Sequence, residues 1–254
     1  LAARGVLDYA GGLVVHLTAG ISALVLAIVI GPRAGFPNDV KPPHAPWMTM
    51  AGACMLWVGW FGFNAGSALK AGGDAGMAMT VTHISAATAA LIWLVIESVK
   101  YGKPSMIGIV TGAVAGLATI TPASGFVGPA GALVIGLAGG TICYAMVGLV
   151  KRRFLIDDSL DVFAVHGVGG GIGVLLTAIF ADAALGGIGL AEGRTIGGQL
   201  AIQIAGLIAV LLWSLVLSVV IAKAVQAFAG LRVSSDTEEQ GLDLRIHGER
   251  GYNM

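Results

Sequence analysis

Two histidines fall where an ionisable side chain is costly. His166 sits in Asp161-Val-Phe-Ala-Val-His166-Gly-Val-Gly-Gly-Gly-Ile-Gly173, an apolar run that continues to Phe180 and carries five glycines after the histidine. His16 sits in Gly11-Gly-Leu-Val-Val-His16-Leu-Thr-Ala-Gly20. An imidazole inside a span long enough to enter a lipid core marks a functional position by default, with a partner to be named. Here each histidine is the other's candidate partner. Two neutral imidazoles can donate and accept in line, one ring nitrogen to the other, which makes a polar but uncharged track. Such a track can bind a small hydrogen-bonding molecule or pass a proton. The competing reading is a histidine bonded to a neighbouring helix and nothing more; a pair at matched depths, entered from opposite leaflets, favours the track.

Composition says what must hold these residues. The chain of 254 residues is 56% hydrophobic and 11% charged, with a mean hydropathy of +0.88. Soluble domains carry about 25% charge, so the expected fold class is all-α, a polytopic membrane helix bundle. Forty glycines suit transmembrane helices in close contact. Zero net charge gives no reason to expect a nucleic-acid partner. The cysteines, Cys54 and Cys143, fall in different apolar stretches and read as small packing residues. No spacing suggests a metal site.

A bilayer-crossing helix needs about 20 mostly apolar residues. Seven stretches qualify or nearly so, at about 9–30, 47–67, 76–99, 105–121, 127–150, 162–182 and 197–229. Alternate connectors carry Arg33 and Lys41, then Lys100 and Lys103, then Lys151, Arg152 and Arg153; the remaining ones carry only Lys70 and Arg194. The positive-inside rule makes the first set cytoplasmic. Residues 1–230 then form a transmembrane domain that starts outside, and 231–254 a polar cytoplasmic tail. Gly108, Gly112 and Gly116 recur every fourth residue, a face for close helix contact. Asp157, Asp158 and Asp161 precede the sixth span and Asp8 the first; acids there read as caps on unpaired helix N–H groups.

Other side chains invite chemistry less strongly. His83 has polar helix neighbours and reads as a buried, satisfied packing residue. His44 and His247, in polar connectors, are expected in water. In Leu56-Trp-Val-Gly-Trp60-Phe-Gly-Phe63-Asn-Ala-Gly-Ser67, Trp60 and Phe63 share a helix face. They are either interfacial belt residues or the lining of a constriction with a cation–π surface.

Four strings carry a resemblance. Leu7-Asp-Tyr-Ala-Gly-Gly-Leu-Val-Val-His16, Gly59-Trp-Phe-Gly-Phe-Asn-Ala-Gly-Ser67, Val162-Phe-Ala-Val-His-Gly167 and Gly241-Leu-Asp-Leu-Arg-Ile-His-Gly-Glu249 closely resemble the ammonium transporter (Amt/Mep/Rh) family, bacterial Amt branch. The likeness extends over essentially the whole chain. It implies a trimer with one narrow hydrophobic pore per subunit, built from an inverted repeat of five helices followed by a long last helix. It implies that His16 and His166 are paired pore histidines and that Trp60 lines the pore. Phe63 then matches one of two phenylalanines gating the outer entrance, Ser67 a hydroxyl of the outer ammonium site, and Asp8 an acid that supports that site. It implies no enzyme activity and no cofactor. The tail and cytoplasmic connectors resemble surfaces that dock a PII-type signalling protein.

The family has eleven spans and this chain seven, beginning where the fifth would begin. The expectation is therefore a C-terminal portion of a longer protein, lacking four helices, the second gating phenylalanine and an outer-site tryptophan. Two other functions fit the residues: an ammonium sensor signalling through its tail, and a membrane redox protein with His16 and His166 as axial haem ligands.

Overall fold

A computed structural model describes residues 1–252. No strand occurs among them. Seven long helices follow in order: α1 Gly12–Ile30, α2 Pro46–Gly66, α3 Gly73–Tyr101, α4 Met106–Ile120, α5 Pro129–Arg153, α6 Phe163–Phe180 and α7 Ile196–Phe228. Each overlaps one stretch expected from hydropathy. Five of them are long and apolar enough to cross a membrane. The other two are α2, with 21 residues, and α4, with 15. A short helix, α8 (Ser235–Gln240), follows in the tail.

Local chemistry sets the ends. Pro46 and Pro129 open α2 and α5, where a missing N–H costs nothing. The Ser105 hydroxyl accepts from the Gly108 N–H at 2.8 Å to cap α4, and the Thr195 hydroxyl accepts from Gly198 at 3.1 Å to cap α7. α3 closes on Gly102 in the left-handed conformation, φ 78°.

The expected glycine face of α4 packs on α3. A Cβ at Gly112 would lie 2.6 Å from the Trp93 Cβ, and one at Gly116 would lie 2.7 Å from the Ala89 Cβ. At this contact the Ser85 hydroxyl donates to the Gly116 carbonyl at 2.9 Å. Close approach of this kind substitutes for hydrophobic driving force inside lipid. Cys143 is buried in the adjoining cluster with Trp60, Trp93 and Leu117, as a packing residue should be. Cys54 differs from expectation: it is exposed on α2, so it fills no core space.

The connectors sort onto two sides. Arg33 pairs with Asp157 at 3.2 Å, and Arg232 donates to the Ile30 carbonyl at 3.3 Å. These contacts gather the connectors after α1 and α5 and the tail after α7 at one end. At the other, Tyr9 N–H donates to Pro122 O and Ile188 N–H to Phe126 O, each at 3.0 Å.

Candidate conduction site

The two histidines meet. His16 Nδ1 and His166 Nδ1 stand 3.1 Å apart, although 150 residues separate them in the chain. One nitrogen donates and the other accepts, so the two rings hold complementary tautomers. Trp60 lies nearly parallel to both, with centroids 5.3 Å from His16 at 19° and 6.4 Å from His166 at 12°. The indole is fixed by a 2.9 Å bond from its Nε1 to the Thr121 hydroxyl, itself donating to Leu117 O at 2.7 Å. Phe63 lies 6.2 Å from the His16 ring. These four side chains line an open cavity of about 770 Å³, with Val15 and Met55 among the apolar walls.

Each histidine stands in the opening turns of its helix, and both openings are wound to π geometry, over Gly12–Leu17 and Phe163–Val168. Such wide turns concentrate at functional positions. A carboxylate caps each. Asp8 accepts from the N–H groups of Gly11 (3.2 Å), Gly12 and Leu13 (2.9 Å). Asp158 accepts from Val162 (2.9 Å), Phe163 (2.8 Å) and Ala164 (3.4 Å). The helices then cross with glycine at the contact. A Cβ on Gly20 would strike the Gly167 backbone, and one on Gly170 would lie 2.7 Å from the His16 Cβ and 3.0 Å from the Gly12 carbonyl. The device is repeated: an acid eight residues before the histidine and a glycine four after it, in α1 and again in α6.

The residues proposed from sequence divide accordingly. His16, His166, Trp60 and Phe63 come together. Ser67 lies one turn beyond Phe63 and donates to the Phe63 carbonyl at 2.9 Å, off the cavity wall. Asp8 supports α1 rather than lining the cavity. Of the three acids before α6, only Asp158 caps it: Asp157 pairs with Arg33, and Asp161 with Lys151 at 2.6 Å. Burial nevertheless raises the Asp161 carboxyl above the usual range, against the pull of Lys151. His83 is not buried; it is exposed on α3 beside Trp57, at 5.3 Å, and Phe61, at 6.1 Å. Sequence reasoning missed Thr121 and Gly20, and took Gly170 only as one of the five glycines after His166. The equal spacing Asp-x7-His-x3-Gly in both helices is the signal that finds the two glycines.

A haem iron does not fit between the two facing nitrogens. An iron bonded to both facing nitrogens needs about 4 Å between them, twice a metal–imidazole bond of about 2 Å, and the gap is 3.1 Å.

The family model described as Ammonium Transporter Family matches residues 1–252. The chain belongs to the ammonium transporter family. The ammonium transporter of Aquifex aeolicus is 48% identical over 100% of this chain and 59% of its own length. Ammonium transporter Amt1 of Archaeoglobus fulgidus is 48% identical over 99% of this chain and 64% of its own. Among solved structures, a sensor Amt protein superposes with a TM-score of 0.88 at 33% identity, covering 96% of this chain and 61% of that one. Saccharomyces cerevisiae Mep2 gives 0.82 at 36%, covering 92% and 56%. The chain thus spans about three fifths of the length of the curated relatives it matches. Its seven helices are a portion of the family's membrane helix bundle.

Proposed function

We propose that the protein moves ammonium across a membrane along the His16–His166 pair. The observation that carries this is the 3.1 Å Nδ1–Nδ1 contact, shielded by Trp60 in an apolar cavity. A bare cation in such a cavity costs several kcal/mol, so the ion sheds its proton before crossing. Phe63 and Trp60 attract the cation through their ring faces, and Ser67, one turn outward, has a hydroxyl oxygen that can still accept from the cation before it reaches the cavity, its proton being held on the Phe63 carbonyl. Neutral ammonia then passes the imidazoles. The pair is also a proton wire. His16 Nε2 is buried and has no hydrogen-bond partner among the described residues. A proton gained at an Nε2 is handed across the Nδ1–H···Nδ1 bond and released at the other ring's Nε2. Potassium cannot deprotonate, which makes the path selective. Asp8 holds the α1 end that presents His16.

The same reading makes the protein a multi-pass component of the cell's plasma or inner membrane, its tail in the cytoplasm. Three copies form a homotrimer, and a PII-type signalling protein docks on the cytoplasmic connectors and tail. Support for a regulated tail comes from Glu238. Its carboxylate accepts from the Ala34 N–H at 2.7 Å and pairs with Arg232 at 2.8 Å, tying the tail to the end of α1. Both partners hold the carboxyl below its usual range. The likeness to a sensor Amt protein gives sensing through this tail as a second reading.

Uptake of methylammonium in cells lacking their own ammonium transporters tests the main reading, using the full-length parent with His16→Ala and His166→Ala. Loss of uptake or of selectivity against potassium in both variants, at intact expression, is expected. Unchanged uptake and selectivity in both would return the pair to a packing role.

A further inference from the structure

Trp60 is the third nitrogen-bearing side chain on the wall of the histidine cavity, after His16 and His166. Its indole N–H can donate and cannot accept. That N–H is spent behind the wall, on the Thr121 hydroxyl at 2.9 Å. Thr121 suits the task. It is fully buried, and its own hydroxyl proton goes to the Leu117 carbonyl one turn back, at 2.7 Å. The oxygen is left as an acceptor, and β-branching together with the back-bond fixes its direction. The place of that oxygen is fixed too. Thr121 follows the last residue of α4, and the next residue, Pro122, wedges between the two histidine helices. A Cβ on Gly12 would lie 2.5 Å from the Pro122 Cβ, and one on Gly173 would lie 2.9 Å from its Cγ. The crossing that joins the imidazoles therefore also sets the acceptor for the indole. An indole N–H facing the cavity would donate to the lone pair of any amine passing through and hold it there.

We propose that Thr121 is a positioning residue that sets how loosely the path holds its cargo: it keeps the Trp60 N–H out of the cavity and the indole face parallel to both imidazoles, which leaves the histidines as the hydrogen-bonding side chains of the cavity. This role rests on conduction along the histidine pair.

The test measures methylammonium uptake by the full-length parent protein in cells lacking their own ammonium transporters. Thr121→Val frees the indole N–H at nearly the same shape. Both the maximal rate and KM are expected to fall about fivefold, the size of one added hydrogen bond to the cargo. Damage to the fold alone would lower the rate and leave KM unchanged. Thr121→Ser keeps the hydroxyl and should restore both to within about twofold of wild type. In a Trp60→Phe background, which has no N–H to free, Thr121→Val should change KM by less than about twofold. Ultraviolet resonance Raman spectra of the purified protein, with the Trp60→Phe spectrum subtracted, should show the Trp60 N–H losing its bond in Thr121→Val and keeping it in Thr121→Ser. An unchanged KM in Thr121→Val, the same KM shift in the Trp60→Phe background, or an unmoved indole signal overturns the proposal. If Thr121→Val does not reach the membrane, Thr121→Cys, a weaker acceptor, decides by the same readouts: a lowered KM supports the role and an unchanged one overturns it. Failure of the conduction reading shows elsewhere, as full uptake and selectivity in His16→Ala and His166→Ala.

Discussion

The two helices that carry the histidines share one device but are anchored differently. The backbone before Asp8 is held mainly by neutral amides, with Arg194 adding a 3.3 Å bond to the Gly5 carbonyl. Gln203 accepts from the Leu7 N–H at 2.8 Å and returns a 2.7 Å bond to the Leu7 carbonyl, with a third to Val174 O at 3.0 Å. Gln199 holds the Gly5 carbonyl at 2.9 Å. The backbone around Asp158 is held by ion pairs instead, Arg33–Asp157 and Lys151–Asp161. Gln203 is fully buried, whereas the Arg33 side chain is 41% exposed. Buried, satisfied amides resist salt and pH; the ion pairs are reached by solvent mainly from the basic side, with Arg33 41% exposed against 3% for Asp157, so salt screens them in part. One half of the site is thus held by buried amides, and the other by ion pairs that salt can reach.

The widest break in this comparison comes at what the halves share. Gly20→Val or Gly170→Val should each cost at least about 3 kcal/mol, because a side chain there meets backbone that cannot retreat. Thermal unfolding of the detergent-solubilised parent protein reads this, and a shift as small as that of Ala19→Val would refute the tight crossing. Next is the neutral clamp. Gln203→Leu strands buried groups at Leu7, about 1–3 kcal/mol each, and its effect should not change between low and high salt. A salt-dependent loss would show that the clamp is not what holds that end. Arg33→Gln strips the ion partner from the buried Asp157 carboxylate and should cost about 1–3 kcal/mol, and the difference from wild type should shrink in high salt. Last is the tail. Folding lowers the Glu238 carboxyl, so its docking contribution is full above the ordinary glutamate range and fades as pH falls through the lowered value. Proteolysis at the tail should accelerate only on acidification below that range, and Glu238→Gln should remove the pH dependence.

Much of this is legible in the sequence because span length and hydropathy are properties of composition. All seven helices lie within a few residues of where apolar runs place them, and the glycine face of α4 follows from a spacing of four. His16 and His166 stand out because an imidazole in an apolar run is costly unless it has a partner or a task. What stays hidden depends on lateral neighbours. Asp157, Asp158 and Asp161 look alike in sequence; which one turns onto helix N–H groups is decided by where Arg33 and Lys151 reach. His83 reads as a core residue because its neighbours are polar and small, but α3 turns it outward while Val81, Thr82 and Ser85 face in. The π winding of two helix starts has no compositional mark at all. Trp60 and Phe63 leave two readings open in sequence, and it takes the ring geometry around His16 to set them beside the histidines.

The glycine crossing also bears on bilayer thickness. Gly20 lies midway along α1 and Gly170 near the middle of α6. Helices meet a thicker or thinner membrane by tilting, and two rods pinned where they cross tilt like scissor blades. The ends swing, while the rivet stays where it is. The imidazole pair sits at that rivet, so its 3.1 Å gap is insulated from the lipid around it, and adjustment to chain length falls on the outlying ends and on the 33-residue α7.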